Sequence, residues 1–407
     1  MVGCYEPTPA EAILKDSQGG LARRGRCPTL PPVRTHLIKL ACDVIRNSTT
    51  QRPADRVLAE ALRADKDLTP EDRREASHAV FTYYRWLGWL RNESSTRMRL
   101  FRAEKLNERF QAAPLSLPAD HLRAKAVQGW LAQEMPVTDD WLRSLQREPR
   151  LWLRARPGQA RALAKKLNRA KATGVGDAVL YEGEKDLFLT DEFRSGEFEI
   201  QDIASQVVGL ACEPKPGETW WDACAGEGGK TLHLCDLLRG KGLVWATDRA
   251  EWRLDRLKRR AARAKVFNYR SVVWDGGPTL PTKTKFDGVL LDAPCTGIGT
   301  WGRNPHARWT LRPADIAELA EVQKRLLTIV ATAVKPGGKL VYAVCTLATR
   351  ETRGVVEAFE AAQPGFEPQP LSNPLSPDLP PRHALTLWPQ HTRGNGMFIA
   401  AWRRKAV

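Results

Sequence analysis

From Phe198 to the C-terminus, apolar strand-like runs alternate with helical segments, and few architectures accommodate that order. TWWDAC leads through a glycine turn into KTLHLCDLLRG, and GLVWATD leads into WRLDRLKRRAARA. SVVWD, FDGVLLDAP and KLVYAVCT follow, with a long helix expected over about 314–333 and another near 350–361. This alternation predicts a mostly parallel sheet wrapped by helices. The Pro-rich stretch 364–391 is expected to be a long loop, with GMFIAAWRR as a last strand.

The preceding half reads differently. Residues 1–33 mix Pro, Gly and Arg and are expected to form a flexible leader. Over 34–146 the pattern is helical: Leu37, Leu40, Ala41, Val44 and Ile45 recur at helical spacing, and Thr69-Pro70-Glu71-Asp72 is a capped helix start. FTYYRWLGWLR reads as a core-facing stripe rather than a base-stacking surface. Residues 147–197 form a small α+β segment. In it LWLRARP, AVLYEG and DLFLT read as strands and QARALAKKLNRAKA as a basic helix. Lys165, Lys166, Arg169 and Lys171 either line a phosphate track or form a solvated face.

Charge narrows the partners. Lys and Arg outnumber Asp and Glu by 63 to 47, a net +16 that favours a polyanionic partner, the plain alternative being a solvated basic surface. The 8 cysteines are scattered without a CxxC pair or zinc-finger spacing, so neither a disulfide framework nor a metal site is expected. LLTIVATAV is too short for a membrane span, and a reducing cytoplasm is the expected compartment.

Two of the cysteines fall at the C-terminal ends of expected strands, where ligands of open α/β sheets collect: Cys295 in DAPCTG and Cys345 in YAVCT. A thiol pair there suggests covalent catalysis, one sulfur attacking and the other serving a second step. Cys212, Cys224 and Cys235 read as small buried hydrophobes.

The first glycine turn of the sheet runs Asp222-Ala223-Cys224-Ala225-Gly226-Glu227-Gly228-Gly229-Lys230-Thr231. Cys224 stands where a P-loop needs glycine, and GEGG is not the dinucleotide pattern GxGxxG. What remains is a strand, a tight turn, a helix, and Asp248 ending the next strand, a carboxylate suited to ribose hydroxyls. S-adenosyl-L-methionine satisfies such a site without a pyrophosphate to cradle. Asp248 and Asp275 also suit plain strand-end turns.

In order and spacing, QDIASQ, WDACAGEGGKT, ATDRAEWR, DAPCTGIGTWGRNPHARW, QKRLL, KPGGKLVYAVCT and GNGMFIAAWRR resemble the RsmB-type (Sun/Fmu) RNA 5-cytosine methyltransferases. PADRVLAEAL and EDRREASHAVFTYYRWLGWL resemble, more loosely, the NusB-like domain fused to such enzymes. The resemblance implies a NusB-like RNA-binding domain over 34–146 and a ferredoxin-like RNA-binding segment over 147–197. It implies a Rossmann-like class I methyltransferase domain over 198–407, acting as a monomer on RNA, ribosomal RNA first.

Carried onto this sequence, the resemblance places Cys224, Ala225, Gly226, Glu227, Gly228, Gly229 and Lys230 around S-adenosyl-L-methionine. Asp248 would hold its ribose with Arg253 in support, and Asp275 would meet its adenine. Lys230 and Asp292 would border cofactor and cytosine, Cys345 would be the nucleophile, and Cys295 would release the product. Departures from the family pattern are Gly226-Glu227 for Ala-Pro, Ile203 for Glu, His306 for an acid, Thr346 for Ser and Asn395 for Asp. Glu227 is expected to face away from the cofactor. Trp301 and Trp309 are left between stacking on RNA and packing of their loop.

Overall fold

The computed structural model describes residues 32–406. The first part is helical: α1 (Pro32–Asn47), α2 (Ala54–Ala64), α3 (Pro70–Trp86), α4 (Thr96–Ala112), α5 (Ala119–Lys125) and α6 (Asp139–Ser144). α1 takes in the last two residues of the expected leader; the rest of that leader lies outside the described residues. α3 starts as its sequence dictates. The Thr69 hydroxyl accepts the Asp72 N–H, the Asp72 carboxylate accepts the Thr69 N–H, and Pro70 opens the helix. Tyr83, Tyr84 and Trp86 of the aromatic stripe are buried against Val44, Leu58 and Phe110, so the stripe is core.

The next segment runs β1 (Leu151–Ala155), α7 (Ala160–Leu167), β2 (Ala170–Ala172), β3 (Ala178–Tyr181), α8 (Asp191–Arg194) and β4 (Phe198–Ile200). Its sheet has the order β2-β3-β1-β4, with every pairing antiparallel. Two expectations fail here. The basic helix ends at Leu167, because Asn168 and Arg169 take φ of +54° and +46° and turn the chain into β2. DLFLT is a single helical turn rather than a strand, since the Asp186 carboxylate accepts the Phe188 N–H (3.0 Å) and closes a local turn. Lys166 and Arg169 are paired with Glu197 and Glu184, which leaves Lys165 and Lys171 of the suggested track.

The last part holds α9 (Ile203–Cys212), β5 (Thr219–Asp222), α10 (Gly229–Leu237), β6 (Leu243–Asp248), α11 (Glu251–Ala264), β7 (Tyr269–Val273) and β8 (Phe286–Asp292). α12 (Ala307–Thr310), α13 (Pro313–Ala331), β9 (Val334–Val344) and α14 (Arg353–Ala362) come next. The expected loop over 364–391 instead contains β10 (Phe366–Pro368), β11 (Ala384–Leu387) and α15 (Pro389–Thr392), before β12 (Met397–Arg404). β10 and β11 both pair antiparallel with β12, short strands set between prolines that mask them in the sequence.

The sheet order is β10-β12-β9-β8-β5-β6-β7, with β5 to β9 mutually parallel and β12 antiparallel, a Rossmann-like mixed α/β sheet. α9, α10 and α11 cover one face through Val207, Leu232 and Leu254; α13 and α14 cover the other through Leu327 and Phe359. The order reverses at β5, so the loops after β5 and β8 diverge and open a crevice at the C-terminal edge.

The loop after β8 also joins the sheet domain to the helical part. Arg308 is fully buried, and its guanidinium donates to the carbonyls of Arg85 (3.4 Å), Ala126 (3.1 Å) and Leu145 (3.1 Å). These lie at the C-terminal ends of α3, α5 and α6, so one cation serves the negative ends of three helices. Burial pushes its pKa down to about 9, which leaves it charged at neutral pH. Trp309 donates its indole N–H to the Tyr84 carbonyl (2.7 Å), and the His306 ring packs edge-on against Tyr84.

Candidate active site

At the end of β5, Asp222 is fully buried. One carboxylate oxygen accepts the Thr231 hydroxyl (2.7 Å), and the other has no partner. Burial first, then the neighbouring Asp292, lifts its pKa to about 7. The glycine turn follows, with Gly226 at φ +55° and Gly228 at +84°. Gly228 caps α10, and a Cβ there would sit 2.5 Å from the Leu257 side chain, so both backbone angle and packing require glycine. Above Gly226 the space is open.

Asp248, at the end of β6, accepts the N–H groups of Gly226 (3.0 Å) and Ala250 (2.9 Å), with Arg253 at 3.6 Å. Cys224 is a thiol pushed up by burial, and Ala225 is tied to the Thr247 carbonyl (2.8 Å). Glu227 pairs with Arg256 (2.5 Å) on α11. Gly229 opens α10, one residue before Lys230. Asp275 lies apart from this group: it is exposed and closes its own turn by accepting the Gly277 N–H (2.7 Å).

The second half of the crevice is built by β8 and β9. Lys230 Nζ lies 2.6 Å from Asp292 Oδ2 at the end of β8. Burial opposes the Lys230 charge, but Asp292 outweighs it and raises the pKa. Cys295 Sγ and Cys345 Sγ, both free thiols, stand 3.3 Å apart. The Cys295 hydrogen bond lowers the Cys345 pKa, and the Lys230 ammonium acts in the same direction. Cys295 moves the opposite way, raised by its bond to Cys345 and by burial. The two shifts run in opposite directions, so of the pair Cys345 is the sulfur more readily deprotonated.

Sequence reasoning missed what stands behind the sulfurs. Glu351, Thr296, Thr346, Gln323 and Tyr342 form a buried hydrogen-bond cluster around the two cysteine loops. Gln323 lies within the motif QKRLL, but nothing in TRETRG distinguishes Glu351 from a solvated helix-start acid.

A cleft opens beside the crevice, lined by Arg147, Arg150, Arg303, Arg393 and Gly299. The Gly299 N–H donates to the Cys345 carbonyl (3.0 Å), so the cleft abuts the loop that carries Cys345. A Cβ at Gly299 would lie 2.3 Å from the Gly396 carbonyl oxygen, which ties this loop closely to the start of β12. Arg150 pairs with Glu182 and Arg303 with Asp202, while Arg147 and Arg393 have no carboxylate partner among the described residues. Trp301 is buried and packs near Trp141, so it is loop core. Among the described residues no cluster could hold a metal ion, and no helix is long and apolar enough to cross a membrane.

The chain is similar to known proteins. Residues 209–403 match the family model described as 16S rRNA methyltransferase RsmB/F. The probable ribosomal RNA small subunit methyltransferase B of Synechocystis sp. is 37% identical over 220 residues, covering 51% of this chain and 48% of the relative. Its counterpart in Bacillus subtilis is 37% identical over 226 residues, covering 53% and 50%. The chain thus spans about half the length of these curated relatives. Among solved structures, PH0851 shares the fold over 93% of this chain and 100% of its own, at a TM-score of 0.74 and 24% identity. A methyltransferase homolog protein from Pyrococcus horikoshii matches at a TM-score of 0.57 and 27% identity, over 78% of this chain and 98% of its own. Taken with the crevice at the sheet edge, the match makes residues 209–403 similar to the 16S rRNA methyltransferase RsmB/F family.

Proposed function

We propose that this chain is an S-adenosyl-L-methionine-dependent RNA (cytosine-5)-methyltransferase, acting on ribosomal RNA as a cytoplasmic monomer. The observation that carries the reading is the sulfur pair, 3.3 Å apart, set beside the Lys230–Asp292 ion pair at the switch point of the sheet. The residues present fit the cofactor. Asp222 offers a buried carboxylate oxygen without a donor, Asp248 a carboxylate in place for ribose, and Gly226 open space above the turn. Cys224–Lys230, Asp248 and Arg253 would hold it, with Asp292 at its border and Asp275 reaching the adenine only by leaving its own turn. Bound there, the cofactor supplies an electrophilic methyl group.

The chain's residues do the rest. The Cys345 thiolate adds to C6 of cytosine, and the displaced electron pair moves into the ring towards N3 and C5, making C5 nucleophilic. Lys230 and Asp292, sharing a proton, stabilise the charge that develops at N3. After transfer, the C5 proton passes to a base, either solvent water or a deprotonated Cys295 sulfur; its electron pair re-forms the C5=C6 bond and Cys345 departs as a thiolate. Cys295, beside the leaving sulfur, is assigned to that release. The target base must leave any stack to reach this pocket.

The RNA reading draws on the +16 charge and on the arginine cleft abutting the thiolate loop. We assign 34–146 to a NusB-like RNA-binding domain and 147–197, with its strand order, to a ferredoxin-like RNA-binding segment. Incubation with methyl-labelled cofactor and ribosomal RNA, followed by bisulfite sequencing, should reveal one protected cytosine. Label in transfer RNA alone would favour the transfer-RNA alternative. No heat on titration with S-adenosyl-L-methionine would favour a catalytically silent assembly factor.

A further inference from the structure

The backbone ladder between β8 and β9 ends at Asp292 and Ala343, before either sulfur is reached. Beyond it the Ala293 N–H still donates to the Ala343 carbonyl (2.9 Å) and the Gly299 N–H to the Cys345 carbonyl (3.0 Å), and side chains supply further ties between the cysteine loops. Glu351, fully buried in the turn after β9, is central to those ties. Its Oε1 accepts the Thr296 N–H (2.9 Å) and the Gln323 side-chain amide (2.9 Å). Its Oε2 accepts the hydroxyls of Thr296 and of Thr346 (3.0 Å).

Thr296 directly follows Cys295, and Thr346 directly follows Cys345, so one carboxylate grips the neighbour of each sulfur. Gln323 also donates to the Pro294 carbonyl (2.9 Å), just before Cys295. The Tyr342 hydroxyl lies 2.6 Å from the Glu351 carbonyl oxygen and fixes the turn that carries it. All these donors are neutral. Burial raises the Glu351 pKa against them, and a buried carboxylate without a cation depends on keeping every bond.

We propose that Glu351 is a positioning residue that clamps the loop after β8 to the loop after β9, holding Cys295 against Cys345 through turnover. This rests on the reading of Cys345 as nucleophile and Cys295 as release group, yet its geometric part is testable without RNA. Diamide oxidation, which removes one hydrogen from each thiol and joins the sulfurs, measures the register; the linked peptide is quantified by mass spectrometry. Glu351→Gln keeps the volume but turns an NH2 towards donors. Thr346→Val removes one hydroxyl at constant shape, and Thr346→Ser retains it.

We expect wild type and Thr346→Ser to link at equal rates, Thr346→Val more slowly, and Glu351→Gln at least ~5-fold more slowly. With RNA, Glu351→Gln should lower kcat by ~100-fold at unchanged KM and accumulate covalent protein–RNA adduct, as a misplaced release group would. Linking of Glu351→Gln and Thr346→Val at the wild-type rate overturns the proposal. Should Glu351→Gln fail to fold, Thr346→Val decides: slower linking at an unchanged Tm supports the clamp, and an unchanged rate overturns it. Loss of linking in both variants, with no methyl transfer by wild type, leaves the clamp standing and removes the methyltransferase reading.

Discussion

At the residue scale, neighbours shift the two sulfurs in opposite directions. Cys345 sees both the Cys295 thiol and the Lys230 ammonium, and both favour its thiolate. Replacing Lys230 by Met should therefore raise the Cys345 pKa and slow its alkylation by iodoacetamide at neutral pH by ~10-fold. Cys345→Ala should abolish methyl transfer and adduct, whereas Cys295→Ala should accumulate a protein–RNA adduct visible on denaturing gels.

Asp222 carries an acid–base consequence of its own. Its folded pKa, about 7, exceeds the ordinary carboxyl value of 3.8, so the folded state binds its proton more tightly. Stability is therefore drained as pH rises from about 4 to 7, and the full penalty is present above that range. Asp222→Asn should raise the Tm at pH 8 by several degrees, leave it unchanged near pH 4, and weaken the heat of cofactor binding.

Much of this site was legible in the sequence, because motif order and strand ends placed Lys230, Asp292, Cys295 and Cys345 at one edge. Glu351 was not, since its burial depends on α13 and the β8 loop meeting around it.

At the element scale, local signals succeeded wherever they agreed with packing. The Thr69 capping box and the alternation after Phe198 are cases where period, cap and burial coincide. They failed where one short feature decided. Left-handed angles at Asn168 and Arg169 cut α7 short, the Asp186 turn replaced a strand, and prolines hid β10 and β11. The Arg308 contact lay beyond any local reading, because its partners are three carbonyls from separate helices. Arg308→Met keeps the apolar stem and leaves those carbonyls unpaired. It should cost about 3 kcal/mol in urea unfolding, if each orphaned acceptor costs about 1 kcal/mol.

At the scale of the whole molecule, the charge excess matters where it is not neutralised. Arg147 and Arg393, without a carboxylate partner among the described residues, line a cleft that abuts the loop of Cys345. Reversing both to Glu should weaken RNA binding at least ~10-fold and flatten the slope of log K against log salt by ~1.5, with cofactor heat unchanged.

The Arg308 contact bears on how such a protein can be taken apart. Its helical and sheet-bearing portions look like separable modules, each with its own core. Yet the stretch that begins at Cys295 ends with its arginine sunk among the helix ends. Removing the helical portion would strip Arg308 of every carbonyl it serves, and the strain would fall on the loop that aims the thiol. Gene fission or domain exchange at this border is therefore an edit to the loop that carries Cys295.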